Sequence, residues 1–423
     1  MSTNAGQPAE RHQSAGAHED EAAMNHAKSL VILDACNRGD IDDLKKLAVS
    51  KGGFLSDIIR CQAWPVLLGN VPPTGTANAN DEKSVLGSSE KMPQKSLASE
   101  DDADVLNGPW TELPRHRDED QVRLDVDRSF IYYPNDQSQS QLDVKKTELS
   151  DLITETLRRQ PFLCYFQGYH DICQVFLLVL PPALRTTAVA RLSTLRIRDF
   201  MLPNLAPAIS QLRLIPDIID SVDPALCRHL SQTEPFFALS GTLTMYAHDI
   251  QSYSSIARLF DALLAREQIF SVYLFAQIVL NRREELFDTP DTEPEMLHSI
   301  LSKLPQPLDL DKLIADTATL FEKHPPESLR SWRGISNSSV LKTARDVKAC
   351  ARQTLDEGHS FFNKQLRELQ WAESRQKMLK TMWAYRRPAR GVALAVLIGV
   401  AAVYLRKSPS AWGFLAAFWS RFT

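Results

Sequence analysis

One stretch of the chain joins a short polar segment directly to a long apolar run, "LCYFQGYHDICQVFLLVL" at 163–180. From Tyr169 onward the apolar residues recur at intervals of three and four, which predicts a helix that buries one face. Gln167 and Gly168 then lie at or just before the helix start, where backbone N–H groups are unpaired and the local potential is positive. Gln167 either caps this helix or presents its side chain to an anion.

The same helical spacing recurs through the middle of the chain, at 237–250, 255–287 and 296–324. Pairs of prolines at 72–73, 181–182 and 325–326 separate the apolar segments, as expected at the ends of helices. Nowhere does the regular alternation of apolar and polar residues typical of a sheet recur between glycine-rich turns. The pattern therefore predicts an all-α fold of many helices.

The flanking segments have a different composition from the middle of the chain. Residues 1–27 contain almost no large apolar side chain, which predicts a disordered arm. Residues 70–108 are rich in Ser, Asn, Asp and Gly and are predicted to be a flexible insertion inside the folded domain. We expect that domain to cover 28–335 and the charged residues 336–388 to form a helical linker.

Near the C-terminus lies a 15-residue segment without a charge, Gly391–Leu405, within a predicted transmembrane anchor at 389–407. As a helix it would span about 22 Å, short of a bilayer core of about 30 Å, although flanking basic side chains can extend the span by snorkelling. A buried core helix is the alternative. A short single span favours the endoplasmic reticulum membrane with the main domain in the cytosol. The tail 408–423 has an apolar patch at 411–419 that is luminal, interfacial or part of the anchor.

Composition and missing signatures exclude several classes of function. The formal net charge is -4, so no basic excess indicates a nucleic acid partner. The sequence contains no GxxxxGK[ST] phosphate loop, GxGxxG, HExxH or GxSxG motif. Its 10 histidines are dispersed, and His170 and His248 are interpreted as packed or surface residues. We therefore expect no metal site and no cofactor of the protein's own.

Two further stretches give the first one a context. "IIRCQAWPVLLG" puts Arg60 and Trp64 four residues apart, so that in a helix the guanidinium can lie against the indole. "VRLDVDRSF" puts Asp125 and Arg128 three apart, adjacent if helical, although its alternation by itself favours a strand. In chain order the three stretches read RxxxW, [I/V]xxDxxR and YxQGxxD. This set resembles the TBC domain, the all-helical module of Rab GTPase-activating proteins, from about residue 30 to 330.

The resemblance extends to the tail-anchored subgroup of the endoplasmic reticulum. It implies an activator, not an enzyme in its own right, that accelerates GTP hydrolysis by a GTP-bound Rab of the early secretory pathway, between the endoplasmic reticulum and the Golgi. GTP and Mg²⁺ would be bound by that Rab. Arg128 would be the arginine finger and Gln167 the glutamine finger. Supporting places would go to Asp125, Gly168, Tyr165 and Asp171, and structural ones to Arg60 and Trp64.

Two alternatives to this interpretation stay open. The same fold could recruit a Rab without hydrolysis, as a membrane-anchored scaffold, or could act only as a helical spacer in a tether. The presence of both Arg128 and Gln167 argues against either. The sequence does not identify the Rab, since specificity depends on surface shape spread over many helices, nor the oligomeric state, nor the role of the insertion.

Overall fold

The computed structural model describes residues 9–69, 108–407, 413 and 420. These residues form α-helices with short 3₁₀ and π segments and no β-strand, which confirms the predicted all-α class. The insertion 70–108, apart from its last residue, and most of the tail 408–423 lie outside the described residues.

The first half contains α1 (Ala9–Arg38), α2 (Ile41–Val49), α3 (Asp57–Leu67), α4 (Glu119–Val126), α5 (Gln139–Arg159), α6 (Tyr169–Val179), α7 (Pro182–Arg191) and α8 (Ala206–Leu212). The second half contains α9 (Leu214–Val222), α10 (Pro224–His229), α11 (Leu239–Leu243), α12 (Tyr253–Ala265), α13 (Phe270–Asn281), α14 (Arg283–Phe287), α15 (Pro294–Leu301), α16 (Leu310–Lys323), α17 (Val340–Thr343), α18 (Val347–Arg352) and α19 (Leu355–Lys407).

The core of the first of two compact units, residues 1–363, is built around α12 and α13. Helix α12 packs against α2 and α3, and α13 packs against α9 and α16. Both helices are apolar on nearly every side and are buried over most of their length, as expected for central helices of a large domain.

Helix α6 begins at Tyr169, as its apolar spacing predicts, but it is buried on more than one face. Besides the predicted stripe, His170, Gln174 and Val175 are also buried. The reason is that α3, α5 and α7 all pack against α6. The N-terminus of α6 is therefore held in place by its surroundings on several sides.

A buried carboxylate, Asp261 on α12, joins α12 to α3 and to the turn before α3. It is fully buried and accepts hydrogen bonds from Arg60 Nε at 3.0 Å, from Trp64 Nε1 at 2.9 Å and from the backbone N–H of Phe54 at 3.0 Å. Arg60 also donates to Asp57 at 2.8 Å. The predicted stacking of Arg60 on Trp64 is thus replaced by a carboxylate that both residues share, because a buried guanidinium requires a counter-charge.

Two predicted boundaries need correction. The arm 1–27 is helical from Ala9, since α1 runs to Arg38; its Ala, Glu and Gln residues favour a helix even without an apolar face. The linker 336–388 begins too early, because residues 336–363 belong to the first unit. The charged pattern there hides buried apolar residues, namely Val340, Leu341, Val347, Cys350 and Phe362.

The second unit, from residue 364 onward, contains the remainder of α19. Between 392 and 404 this helix exposes a series of large apolar side chains. Searching the described residues for a helix with the length and apolarity needed to cross a membrane finds none.

Asp261→Ala should destabilise the protein by about 3–5 kcal/mol, because it leaves the Arg60 guanidinium buried without its main counter-charge. Urea unfolding of the full chain measures the loss. The matched control is Asp311→Ala, which also removes a carboxylate paired with an arginine of this region, Arg258, but one that is 36% exposed. The control should cost less, and equal losses for the two variants would contradict a special role for Asp261.

Candidate functional site

Arg128 lies two positions beyond the end of α4 and is held there by a residue of that helix. Helix α4 buries Val122, Asp125 and Val126, at helical spacing, and leaves Leu124 exposed. Arg128 Nη2 donates to Asp125 Oδ1 at 2.6 Å. The Arg128 side chain is 65% exposed while that of Asp125 is fully buried. A buried anion therefore anchors an exposed guanidinium.

Asp125 has two further hydrogen-bond donors. Gln121 Nε2 donates to its Oδ1 at 3.0 Å, and the Tyr165 hydroxyl donates to its Oδ2 at 2.9 Å. Burial, followed by the charge of Asp125, raises the pKa of Tyr165 far above its usual range. Tyr165 therefore remains a phenol at any ordinary pH and can act as a donor to the carboxylate.

A buried glutamine on α6, Gln174, fixes the loop that follows Arg128. Its Oε1 accepts from the backbone N–H of Phe130 at 3.1 Å, and its Nε2 donates to the carbonyl of Tyr133 at 3.3 Å. Phe130 has a left-handed backbone with φ of 64°. Sequence reasoning missed Gln174, although a single polar residue within an apolar helical run is the signal that could have found it.

Gln167 and Gly168 form the entrance to α6. Gly168 is the N-cap residue with φ of 96°, and no side chain caps the helix. A Cβ atom at Gly168 would lie 2.6 Å from Thr244 Cγ2, so the absence of a side chain is required. Gln167 is exposed, and its amide makes no hydrogen bond within the described chain. Of the two interpretations of Gln167, the helix cap is therefore excluded.

Asp171, in the first turn of α6, binds a histidine at each oxygen. His170 Nε2 lies 3.2 Å from Oδ1, and His248 Nδ1 lies 3.0 Å from Oδ2. The hydrogen bond to Asp171 raises the pKa of His248, whereas burial lowers the pKa of His170. These two histidines were interpreted from the sequence as ordinary packed or surface residues, because their shared partner depends on a turn distant in sequence.

Arg128 and Gln167 line the same cavity, of about 200 Å³, together with the loop 129–133. Gln167 also lines a neighbouring cavity of about 570 Å³, whose other wall carries apolar residues including Phe200, Leu202 and Leu205. The site therefore has two exposed polar side chains on either side of an opening and an apolar surface beside it. Arg60 and Trp64 do not belong to it, since they bind Asp261 in the core.

The site has the characteristics of a surface that acts on a partner, not of a pocket that holds its own cofactor. In the part of the chain that the structure describes, no group of three or more His, Cys, Asp or Glu side chains is placed to hold a metal ion. What the site offers instead is a guanidinium for an anion and an amide that both donates and accepts.

Comparison with known proteins matches residues 57–287 to the family described as the Rab-GTPase-TBC domain. "TBC1 domain family member 20" of Homo sapiens is 32% identical over 96% of this chain and 95% of that protein. "GTPase-activating protein gyp10" of Schizosaccharomyces pombe is 34% identical over 62% of this chain and 70% of that protein. The crystal structure of the Ypt/Rab-GAP domain of Gyp1p aligns with a TM-score of 0.48 at 14% identity, covering 67% of this chain and 93% of that chain.

Gly168→Ala should destabilise the protein by more than the roughly 1–3 kcal/mol that a left-handed non-glycine residue costs. The added methyl also meets Thr244 at 2.6 Å. Gly39→Ala is the matched control, because Gly39 has φ of +62° but open space around its missing Cβ. Thermal unfolding of both variants separates backbone strain from the steric contact. Equal losses would show that Thr244 moves aside at no cost.

Proposed function

Because this chain belongs to the Rab-GTPase-TBC domain family of GTPase-activating proteins, we propose that Arg128 and Gln167 are its arginine and glutamine fingers. They would enter the nucleotide site of a GTP-bound Rab of the early secretory pathway and accelerate hydrolysis. GTP and its Mg²⁺ remain bound to the Rab, so the protein contributes only side chains to the reaction.

The position of Arg128 supports the first role. Slow hydrolysis by a small GTPase reflects charge that builds up on the transferring phosphoryl group, and an arginine supplied in trans neutralises it. Arg128 is mostly exposed, and only its Nη2 and Nε have hydrogen-bond partners among the described residues. Its Nη1 is available, and the planar fork of a guanidinium suits phosphate oxygens.

The position of Gln167 supports the second role. An amide can accept a hydrogen bond from the attacking water and donate one to a phosphate oxygen. Gln167 is exposed at the N-terminus of α6, and Gly168 behind it has no side chain to keep a partner's backbone away. The positive end of the α6 dipole also favours an approaching phosphate.

The observation that carries the proposal is that Arg128 and Gln167, 39 positions apart in sequence, line one small cavity. A non-catalytic Rab-binding scaffold would not need both side chains at one opening. The deciding experiment is single-turnover GTP hydrolysis by a panel of purified GTP-loaded Rabs, with and without the full chain. Binding without acceleration across the panel would favour the scaffold.

We expect Arg128→Ala and Gln167→Ala each to remove most of the acceleration, which for an arginine finger amounts to about 10³–10⁵ in rate. Arg128→Lys should fail as well, since a point charge does not reproduce the fork. The two losses should be non-additive, because both side chains serve one transition state. Arg123→Ala is the control: it removes an exposed arginine of α4, 70% exposed and paired with Asp120. Full acceleration by Arg128→Ala, with normal circular dichroism, would remove Arg128 from the mechanism.

We further propose that Gly391–Leu405 attaches the protein to the endoplasmic reticulum membrane, leaving the catalytic domain cytosolic. The support is that apolar side chains around α19, including Val392, Leu397 and Val400, are 59–68% exposed between 392 and 404. A helix segment that is apolar all round requires an apolar environment. Attachment would raise the effective concentration of the domain near its membrane-bound Rab.

Replacing Leu397 and Val400 together by Arg should release the full-length protein from membranes, since each charge at mid-span costs about 2.5–3.5 kcal/mol of insertion. Carbonate extraction of cell membranes measures this. Hydrolysis of GTP by free Rab in solution should be unchanged, because the segment takes no part in the chemistry. Recovery of the unmodified full-length protein in the carbonate supernatant would refute membrane attachment.

A further inference from the structure

His170 lies between the groups that hold Arg128 and the helix turn that follows Gln167. On one side its Nδ1 is 3.2 Å from the Tyr165 hydroxyl, which itself donates to Asp125. On the other side its Nε2 is 3.2 Å from Asp171 Oδ1, in the first turn of α6. His170 also lines both cavities of the site. It is thus the side chain through which the two halves of the site are in contact.

These contacts need more protons than a neutral His170 can supply. Three hydrogen bonds are in reach: Tyr165 to Asp125, His170 Nδ1 to Tyr165, and His170 Nε2 to Asp171. A phenol and a neutral imidazole carry one proton each, so they satisfy only two of the three. An imidazolium, which donates from both nitrogens, satisfies all of them. In the neutral form, either Tyr165 turns from Asp125 to His170 or one ring nitrogen faces an acceptor.

We propose that His170 is a positioning residue whose protonation sets how firmly Tyr165 and Asp125 hold Arg128, so that GTPase activation depends on pH. This inference rests on the function proposed above for Arg128. Protonation commits the Tyr165 hydroxyl to Asp125 and fixes the carboxylate that anchors the guanidinium. Deprotonation divides that hydroxyl between two acceptors and loosens the anchor.

The charged surroundings of His170 make its titration sensitive to one exposed neighbour. Burial lowers the pKa of His170, and the carboxylates of Asp171 and Asp125 oppose this effect. Two cationic groups add to the lowering: Arg128, from the loop after α4, and His248, which binds the second oxygen of Asp171. His248 is 61% exposed and does not contact Arg128 or Tyr165. Its removal should therefore raise the pKa of His170 without altering the fingers.

The first test reads the coupling without a Rab. Histidine and arginine side-chain NMR signals of the full chain are followed from pH 5 to 8, as in other studies of groups that titrate there, with His170→Gln and Arg128→Ala to assign them. We expect the Arg128 Nε–H signal to follow the titration of His170. In His248→Gln both should shift together to higher pH, whereas in the control His298→Gln neither should move. An Arg128 signal that ignores the His170 titration would refute the inference.

The second test reads the activation of a GTP-loaded Rab that responds in the panel, with intrinsic hydrolysis subtracted at each pH. The acceleration should rise by about fivefold as His170 becomes protonated, the size that one hydrogen bond implies. His170→Gln should flatten this dependence, and His248→Gln should move its midpoint to higher pH. A His170→Gln profile as steep as that of the unmodified protein would refute the inference. Full activity in Arg128→Ala would instead refute the proposed function of Arg128, while the NMR test still decides the coupling.

Discussion

The fold depends on one buried anion, Asp261, which binds α3 and the preceding turn to the central helix α12. Removing a carboxylate from water is costly, and it is tolerated only where the site returns enough hydrogen bonds. Here a guanidinium, an indole N–H and a backbone N–H converge on it. Because each donor comes from a different residue of one segment, the carboxylate fixes the direction of that segment and not merely its position.

This constraint reaches the functional site through aromatic packing. Trp64, oriented by Asp261, lies 5.5 Å from the ring of Phe176 on α6 and 5.9 Å from that of Phe260 on α12. From Phe176 to the start of α6 is about 10 Å of helix. Since α6 is buried on several sides, a displacement of Trp64 would be transmitted along a rigid rod to Gly168 and Gln167. The RxxxW motif therefore acts on the site as a support, without touching it.

Local patterns in the sequence predict the helices and their order well, and fail where partners are distant. The spacing of Arg60 and Trp64 places them on one face, but nothing local indicates Asp261, 201 residues away from Arg60. In "VRLDVDRSF" the alternation suggests a strand, yet the structure buries positions 122, 125 and 126 and exposes Leu124. The misleading feature is that a buried carboxylate reads as a surface residue. His170 and Gln174 were missed for the same reason, because polar residues in a buried helix gain their meaning only from side chains brought in by other elements.

The two proposed fingers differ in how much of their ordering is complete before a partner binds. Immobilising a long side chain costs about 0.5–1.5 kcal/mol; Arg128 is already restrained by Asp125, whereas Gln167 has no partner in the described chain and would be ordered on binding.

An anchored arginine nevertheless has to transfer part of its hydrogen bonding to phosphate. If Arg128 were the only donor to Asp125, this transfer would leave a buried charge unpaired, at a cost that offsets the gain. Gln121 and Tyr165 prevent this, because they continue to donate to the carboxylate when the guanidinium turns outward. The three donors on Asp125 thus reconcile two opposing demands, a guanidinium that is positioned beforehand and one that is released at low cost. The arrangement also explains why the hydroxyl of Tyr165, the donor that His170 competes for, controls the balance between them.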